Sequence, residues 1–184
     1  MLITNVEMLK NQRIVKREVR MMSKLIIVMG APGAGKTTWC KHYLETHKAE
    51  YISRDEIRFI LVKENELYFS KEKQVYKEFI KKIDNALFQN KTVIADQTSL
   101  NKAARAKLIN SLKNKPNEII AIYLKNSLET ILEQNARRTG RSRVPEDSVI
   151  NMFNSIEKPT RDEGINLYIE VTFENGKYKY TYAI

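Results

Sequence analysis

The amino-acid sequence predicts an α/β fold in which a parallel sheet is flanked by helices, and three observations support this prediction. Short apolar segments alternate with longer amphipathic segments over most of the chain, as in proteins built from strand–helix–strand units. The first apolar run, residues 25–29, is continuous rather than alternating, which is typical of a strand buried on both faces. A glycine-rich turn follows this run directly and leads into a helix.

The predicted elements follow one another from residue 24 onwards. Strands are predicted at residues 25–29, 51–52, 92–95 and 118–124, and helices at 36–47, 71–89, 103–112 and 127–138. A further helix begins at residues 144–147, where a proline is tolerated in the first turn. Two last strands, 168–173 and 178–182, flank Asn175-Gly176, a strong signal for a two-residue turn, so we expect a C-terminal β-hairpin. Right-handed crossovers between successive parallel strands then determine most of the topology.

The chain divides into a basic leader, residues 1–22, and one domain, residues 23–184. A chain of 184 residues is long enough for one sizeable core. The leader is interpreted as an upstream or disordered segment. The alternative is a basic helix that contacts nucleic acid or a partner protein.

Composition narrows the class of protein further. The formal net charge of +10 favours encounters with polyanions, for which nucleic acid, nucleotides and acidic small molecules all qualify. A single cysteine, Cys40, excludes an internal disulfide. No apolar run approaches the roughly 20 residues that span a bilayer, so we expect no membrane association and a cytoplasmic location in a bacterial or phage-infected cell.

The glycine-rich turn carries a phosphate-binding motif. Residues 30–37 satisfy G-x-x-x-x-G-K-[ST] between a strand and a helix, which predicts a P-loop NTPase fold that binds ATP with Mg²⁺. Lys36 is expected to reach the β- and γ-phosphates during transfer, and the Thr37 hydroxyl to bind Mg²⁺. The predicted nucleotide-binding residues are Gly30, Ala31, Pro32, Gly33, Ala34, Gly35, Lys36, Thr37 and Thr38.

Two acidic residues follow predicted strands, at the edge of the sheet where ligands bind in open parallel sheets. Asp55 follows residues 51–52, and Asp96 follows residues 92–95. Asp55 is the candidate general base that accepts the proton of an acceptor hydroxyl, and Asp96 is the candidate second ligand of Mg²⁺ near the acceptor. Either aspartate could instead cap the helix that follows it.

Arginines surround these positions. Arg54 and Arg58 flank Asp55, and Arg58 could bind a phosphate of the acceptor or form an ion pair with Asp55 on one helix. A second cluster is interpreted as a lid that closes over the transferring phosphoryl group, with a hinge at Gly140; a plain basic loop is the alternative. The cluster comprises Arg137, Arg138, Arg141 and Arg143. Four aromatic residues fit base stacking and core packing equally well. They are Phe59, Tyr68, Phe69 and Tyr76.

These residues together resemble the 5′-hydroxyl polynucleotide kinases of phages and their bacterial relatives. The resemblance covers roughly residues 24–164. It is carried by residues 30–39, which end in Trp39, by the Arg-Asp-x-x-Arg box at 54–58, by residues 96–101 with Arg105, and by residues 135–138 before Val144-Pro145.

The resemblance implies a role for several residues. Asp55 matches the general base of that family, Arg58 the arginine that holds the acceptor phosphate, and Arg138 a catalytic arginine that contacts the donor phosphates. Arg137 is adjacent, and the arginine loop is one residue longer here. Gln97 separates Asp96 from the threonine that directly follows the family's aspartate. We expect a kinase module without the phosphatase domain of the phage enzyme.

The leading hypothesis is therefore transfer of the γ-phosphate of ATP to the 5′-hydroxyl of DNA or RNA, in nucleic acid repair. A second hypothesis keeps the chemistry but takes a small-molecule acceptor, as in kinases similar to zeta toxins or antibiotic phosphotransferases. A third is an ATPase or nucleotide-binding switch without an acceptor.

Overall fold

The computed structural model describes residues 22–183, so the predicted leader, except Met22, lies outside the described residues. Six strands form one sheet in the order β2-β3-β1-β4-β5-β6. The strands β1 to β5 are parallel, and β6 runs antiparallel to β5. Their bounds are β1 Lys24–Met29, β2 Glu50–Ser53, β3 Thr92–Asp96, β4 Glu118–Leu124, β5 Leu167–Glu174 and β6 Lys177–Ala183.

Helices connect the five parallel strands and cover both faces of the sheet, which confirms the predicted fold class. The bounds are α1 Lys36–Thr46, α2 Arg54–Leu61, α3 Glu72–Phe88, α4 Lys102–Ser111, α5 Leu128–Ala136 and α6 Glu146–Asn154. Short 3₁₀ turns occur at Gly140–Ser142 and Arg161–Glu163. Within residues 22–183, no helix has the length and apolar character needed to cross a membrane.

Strand β1 shows why a continuous apolar run predicts this architecture. Leu25 and Ile27 pack in a core on one face of the sheet, with residues of α2, α3 and α4 such as Phe79. Ile26 and Val28 pack in a second core on the other face, with residues of α1, α5 and α6 such as Trp39. Successive side chains of a strand point to opposite faces, so both sets must be apolar when both faces are covered.

Helix α2 is the main element that the predicted segments did not include. Its N-cap is Ser53, whose hydroxyl accepts a hydrogen bond from the backbone N–H of Glu56 at 3.3 Å. Asp55 therefore lies in the first turn of α2, not at its cap. The helix α4 is capped by Asn101, not by Asp96. The capping role that competed with a functional role for both aspartates is thus filled by other residues.

The remaining boundaries differ little from the predicted ones. Helix α5 ends at Ala136, so Arg137 and Arg138 lie beyond it. The C-terminal hairpin forms as predicted, because Asn175 and Gly176 both adopt positive φ, at 52° and 75°.

Arg105, one of the residues that carry the resemblance to polynucleotide kinases, joins two segments of the fold. It is fully buried, donates to both carboxylate oxygens of Glu163 at 2.7 and 2.8 Å, and donates to the carbonyl of Glu157 at 2.9 Å. It also donates to the carbonyl of Leu100 at 3.3 Å. Arg105 thereby fastens the segment after β3 to the segment before β5.

Candidate active site

The candidate site lies where the carboxyl ends of three neighbouring strands meet. The glycine-rich turn follows β1, Asp96 ends β3, and α2 with Asp55 follows β2. Asp96 is paired in register with Val28 on one side and Ser53 on the other. The sheet order therefore places the phosphate loop, Asp96 and Asp55 side by side across three strands.

The phosphate loop depends on glycine for its shape. Gly30, Gly33 and Gly35 all have positive φ, at 148°, 94° and 86°. A Cβ added to Gly33 would clash with the carbonyl oxygen of Ile131 in α5 and would lie 3.2 Å from the Asn135 nitrogen. The loop thus packs directly against the backbone of α5, where no side chain fits. This conformation is the one in which successive backbone N–H groups point into an anion cradle.

Lys36 is folded back onto this loop. Its Nζ donates to the carbonyl oxygens of Gly30 at 2.8 Å and Ala31 at 3.1 Å. Desolvation lowers the pKa of Lys36 below its ordinary value, although the charge of Asp96 acts in the opposite direction. A desolvated ammonium group held only by carbonyl oxygens is well suited to bind a phosphate oxygen.

Thr37 and Asp96 form the candidate metal site. The Thr37 hydroxyl donates to Oδ2 of Asp96 at 3.3 Å, and the Tyr51 hydroxyl donates to the same oxygen at 2.7 Å. Asp96 is buried, whereas Thr37 is exposed. Mg²⁺ in nucleotide sites takes few protein oxygens and completes its shell with phosphates and water. A hydroxyl and a carboxylate oxygen at this distance fit Mg²⁺, and residues 22–183 hold no cluster of three acidic, histidine or cysteine ligands.

The carboxylate of Asp55 is exposed to solvent and forms an ion pair with Arg58. Its side chain is 66% exposed, and its Oδ1 accepts hydrogen bonds from Nη1 of Arg58 and, at 3.3 Å, from the hydroxyl of Tyr68. The carboxylate is thus oriented by two donors but remains open to an incoming hydroxyl. This arrangement meets the geometric requirement for a general base.

Glu72, at the start of α3, anchors both arginines that flank Asp55. It pairs with Nη2 of Arg54 and accepts from Nε and Nη2 of Arg58 at 3.2 and 2.9 Å. Burial raises the pKa of Glu72, but the hydrogen bonds from Arg58 and Arg54 outweigh it, so this pKa lies below its ordinary value. Sequence reasoning missed Glu72. The available signal was the spacing of Arg54 and Arg58. Four residues apart, they lie on one side of a helix, where an acid from another segment could pair with both.

Glu72 and two further partners occupy the guanidinium group of Arg58. Its guanidinium group donates to Glu72, Asp55 and Tyr68, and the residue is only 5% exposed. The sequence left two roles open for Arg58, contact with an acceptor phosphate and an ion pair with Asp55. The structure shows the ion pair with Asp55, which orients that carboxylate. Arg54 also donates to Gln97 at 3.1 Å, which ties α2 to the end of β3.

The arginine cluster divides into residues inside and outside the cavity. Arg138, Arg141 and Arg143 line the cavity, whereas Arg137 is exposed beside Glu133, 4.0 Å away. Arg138 donates to the carbonyl of Ser142 at 3.3 Å. Arg141 donates through both Nη atoms to the carbonyl of Val62, at 3.2 Å each, and so connects the arginine loop to the end of α2.

The arginine loop is closed at its base by one buried amide. Asn135 donates to the carbonyl of Val144 at 2.7 Å, and its side-chain oxygen accepts from the Val144 N–H at 3.2 Å. Asn135 is only 4% exposed. Both ends of the loop are therefore held together, and the segment between them carries the four arginines.

A single cavity of about 950 Å³ joins the phosphate loop to Asp55. The predicted residues that line it are Pro32, Gly33, Gly35, Lys36, Thr37, Thr38, Arg54, Asp55, Arg58, Asp96, Arg138, Arg141 and Arg143. Gly30, Ala31, Ala34 and Arg137 are not in the lining. Phe59, Tyr68 and Phe69 line the cavity, whereas Tyr76 packs beside Phe79 under Arg54, whose Cζ is 5.1 Å from the ring centroid.

Comparison with known sequences identifies the family. The model of the family described as "AAA domain" matches residues 25–159, more than half of the chain, so the chain belongs to this family. An L-seryl-tRNA(Sec) kinase of Methanococcus maripaludis is 30% identical over 140 residues, which cover 73% of this chain and 53% of the relative. The chain thus spans about half the length of that relative.

Comparison with solved structures identifies the same fold. A chain of the Pnkp1/Rnl/Hen1 RNA repair complex superposes with a TM-score of 0.63 and 17% identity, covering 76% of this chain and 46% of that chain. Kti12 of Chaetomium thermophilum, solved in complex with ADP-AlF3, superposes with a TM-score of 0.62 and 20% identity, covering 82% and 90%. This chain therefore shares the α/β fold of both structures.

Proposed function

We propose that this member of the AAA domain family is a kinase that transfers the γ-phosphate of ATP, with Mg²⁺, to the 5′-hydroxyl of a polynucleotide. The observation that carries the proposal is the single cavity in which the phosphate loop and the exposed, doubly oriented carboxylate of Asp55 face the same space. A phosphate donor and a general base at the two ends of one cavity are what phosphoryl transfer to a hydroxyl requires.

The residues divide the reaction between them. The N–H groups of the phosphate loop and Lys36 bind the β- and γ-phosphates. Thr37 and Asp96 would hold Mg²⁺, which would offset charge on the phosphate oxygens. The oxygen of the acceptor hydroxyl forms a bond to the γ-phosphorus, and Asp55 accepts the proton that this hydroxyl loses. The bond from that phosphorus to the bridging oxygen breaks, and ADP leaves with the electron pair. Arg138, at the lid, stabilises the charge on the transferring group.

Three observations support a nucleic acid as the acceptor. The chain carries a formal charge of +10. Exposed aromatic rings lie beside Asp55 within the cavity. The relative and one of the structural neighbours are named for RNA: an L-seryl-tRNA(Sec) kinase and an RNA repair complex.

A second candidate is a hydroxyl that does not belong to a 5′ end. The observation that favours it is the occupied guanidinium group of Arg58, which has Glu72, Asp55 and Tyr68 as partners and so offers no free donor pair to an acceptor phosphate. A seryl group on a tRNA or a small polyol has no phosphate next to the reacting hydroxyl. Either acceptor would use Asp55 in the same way.

The test is transfer from γ-labelled ATP with Mg²⁺ to a panel of acceptors. The panel contains 5′-hydroxyl RNA and DNA oligonucleotides, seryl-tRNA and small polyols. The proposal requires label at the 5′ end of an oligonucleotide, lost in Asp55→Asn and retained in Glu56→Gln, a change at the neighbouring exposed acid of α2. Label on seryl-tRNA or a polyol alone would establish the second candidate. ATP hydrolysis that needs no acceptor and is indifferent to Asp55→Asn would refute both.

A further inference from the structure

An aromatic surface of three rings lies at the acceptor end of the cavity, and the two exposed phenylalanines in it have no role in the transfer step. We name it the aromatic wall: Phe59 on α2, with Tyr68 and Phe69 in the connection 62–71 between α2 and α3. All three rings line the cavity. Phe69 is 66% exposed and Phe59 is 45% exposed, although apolar rings of this size gain stability from burial.

Tyr68 fixes the wall relative to Asp55. Its hydroxyl donates to Oδ1 of Asp55 at 3.3 Å, and its ring centroid lies 4.8 Å from Cζ of Arg58 and 5.5 Å from Cζ of Arg141. Two guanidinium groups and a hydrogen bond therefore hold this ring in place. Tyr68 is a rigid support at the centre of the wall, one hydrogen bond away from the candidate base.

Phe59 and Phe69 flank Tyr68 and keep ring surface free. Phe69 meets Tyr68 almost perpendicularly, at 81° with centroids 4.8 Å apart, and Phe59 meets it at 61° with centroids 6.1 Å apart. Arg58 lies 5.3 Å from the Phe69 centroid, and Arg141 lies 5.6 Å from the Phe59 centroid. The outer rings are positioned by these contacts, yet most of the Phe69 side chain remains accessible.

We propose that the aromatic wall stacks the nucleobase of the nucleotide that carries the accepting hydroxyl. This inference rests on the proposed function, because it takes a nucleic acid as the acceptor. Three features select a base as the occupant: free aromatic surface, the positive charge of Arg141 beside it, which attracts a polyanion, and direct continuity with Asp55. Stacking on such rings tolerates any base, so the wall favours nucleic acid over small polyols without selecting a sequence.

The wall belongs to the acceptor and not to the adenine of ATP. Its residues come from α2 and the connection that follows it, on the side of the cavity that holds Asp55. The donor side is formed by the phosphate loop, α5 and the arginine loop. Changes in the wall should therefore act on the affinity for the acceptor and leave the KM for ATP unchanged.

The kinetic test compares two oligonucleotides that differ only in the presence of a base on the 5′-terminal nucleotide. With the wild-type chain, the abasic oligonucleotide should show a KM about tenfold higher or more. Phe69→Ala should raise the KM of the base-bearing oligonucleotide by a similar factor and leave the abasic one unchanged. Phe88→Ala, at a 75% exposed phenylalanine that does not line the cavity, is the matched control and should change neither.

A binding measurement separates this inference from the proposed function. Fluorescence anisotropy of the same two oligonucleotides, without ATP, reports stacking whether or not phosphate is transferred. Binding that depends on the base and on Phe69, without transfer, would support the wall and refute the proposed function. Transfer with equal KM values for both oligonucleotides, or a Phe69→Ala change that affects both alike, would overturn the wall alone. Absence of both binding and transfer would overturn both.

Discussion

The two ends of the cavity are built from different parts of the polypeptide. At the donor end the phosphates face one contiguous segment, the phosphate loop at residues 30–37, whose shape comes from backbone dihedrals and from the close approach of Gly33 to α5. The acceptor end is assembled from side chains of α2, the connection 62–71 and α3, and ion pairs centred on Glu72 hold it together. The donor end should therefore be sensitive to added atoms, and the acceptor end to changes of charge.

The largest expected effect is the loss of transfer activity in Asp55→Asn, at the acceptor end. Asp55→Asn preserves the shape of the side chain but removes the proton acceptor, so kcat for transfer should fall by about 10²–10⁴-fold. The affinity for ATP should not change, because Asp55 lies outside the phosphate loop. Single-turnover transfer and calorimetric titration with ATP measure the two quantities. A parallel loss of ATP affinity would contradict the separation of the ends.

A smaller effect tests the backbone construction of the donor end. Gly33→Ala adds a methyl group that meets the backbone of α5 at a residue with a φ of 94°. Left-handed strain and overpacking together should lower the free energy of unfolding by about 2–4 kcal/mol and weaken ATP binding. Gly140→Ala is the matched control, because Gly140 also has positive φ but a Cβ added there would meet nothing within 4 Å. Its cost should be confined to strain of about 1–2 kcal/mol.

Glu72→Gln tests whether the ion pairs of Glu72 hold the acceptor end together. Arg58 is buried and loses an ionised acceptor, so the free energy of unfolding should fall by about 2 kcal/mol. Misorientation of Asp55 should also lower kcat, by up to about 10²-fold, without affecting ATP affinity. Chemical denaturation and transfer kinetics measure both effects. Glu78→Gln on the same helix, where the acid only faces Lys81 at 3.7 Å, should be silent; equal effects of the two variants would contradict the anchoring role.

The smallest expected effect is the pH dependence that Glu72 contributes to stability at the acceptor end. The pKa of Glu72 is lower in the folded chain than its ordinary value of 4.5. Its contribution to stability is therefore complete above that value and is lost as the pH falls through the folded pKa. Denaturation of the wild type and Glu72→Gln over this range should give free energies that converge on acidification. A difference that stays constant with pH would show that the anchor does not depend on charge.

The two ends also differ in how well the sequence predicts them. The phosphate loop was predicted because its ligating groups are contiguous and its glycines are required by backbone conformation, and the hairpin turn at Asn175-Gly176 was predicted for the same reason. Helix α2 carried a local signal as well, since Ser53 and Glu56 have the spacing of a capping box. That signal was overlooked.

The anchor and the aromatic wall had no comparable local signal. Glu72 reaches Arg58 from 14 residues away along the chain, and only the packing of α3 against α2 brings them together. The sequence does not distinguish the environments of the aromatic residues Phe69 and Tyr76. Phe69 lines the cavity, whereas Tyr76 packs beside Phe79. Burial of an aromatic side chain is decided by tertiary contacts, which a periodic pattern does not specify.

The bond pair between Asn135 and Val144 limits how the arginines travel. Because both ends of the segment are held together by these two hydrogen bonds, a lid built from it would move as a flap hinged along a single line, not as a free arm. Eight residues between the pins, at about 3.4 Å each, allow an excursion of about half their contour length, roughly 13 Å. Such a lid would lift away from a bound nucleotide over a short path, after release of the hydrogen bonds from Arg141 to the carbonyl of Val62. Since the ends of the loop are already joined, closure of such a lid would order only a small number of dihedral angles.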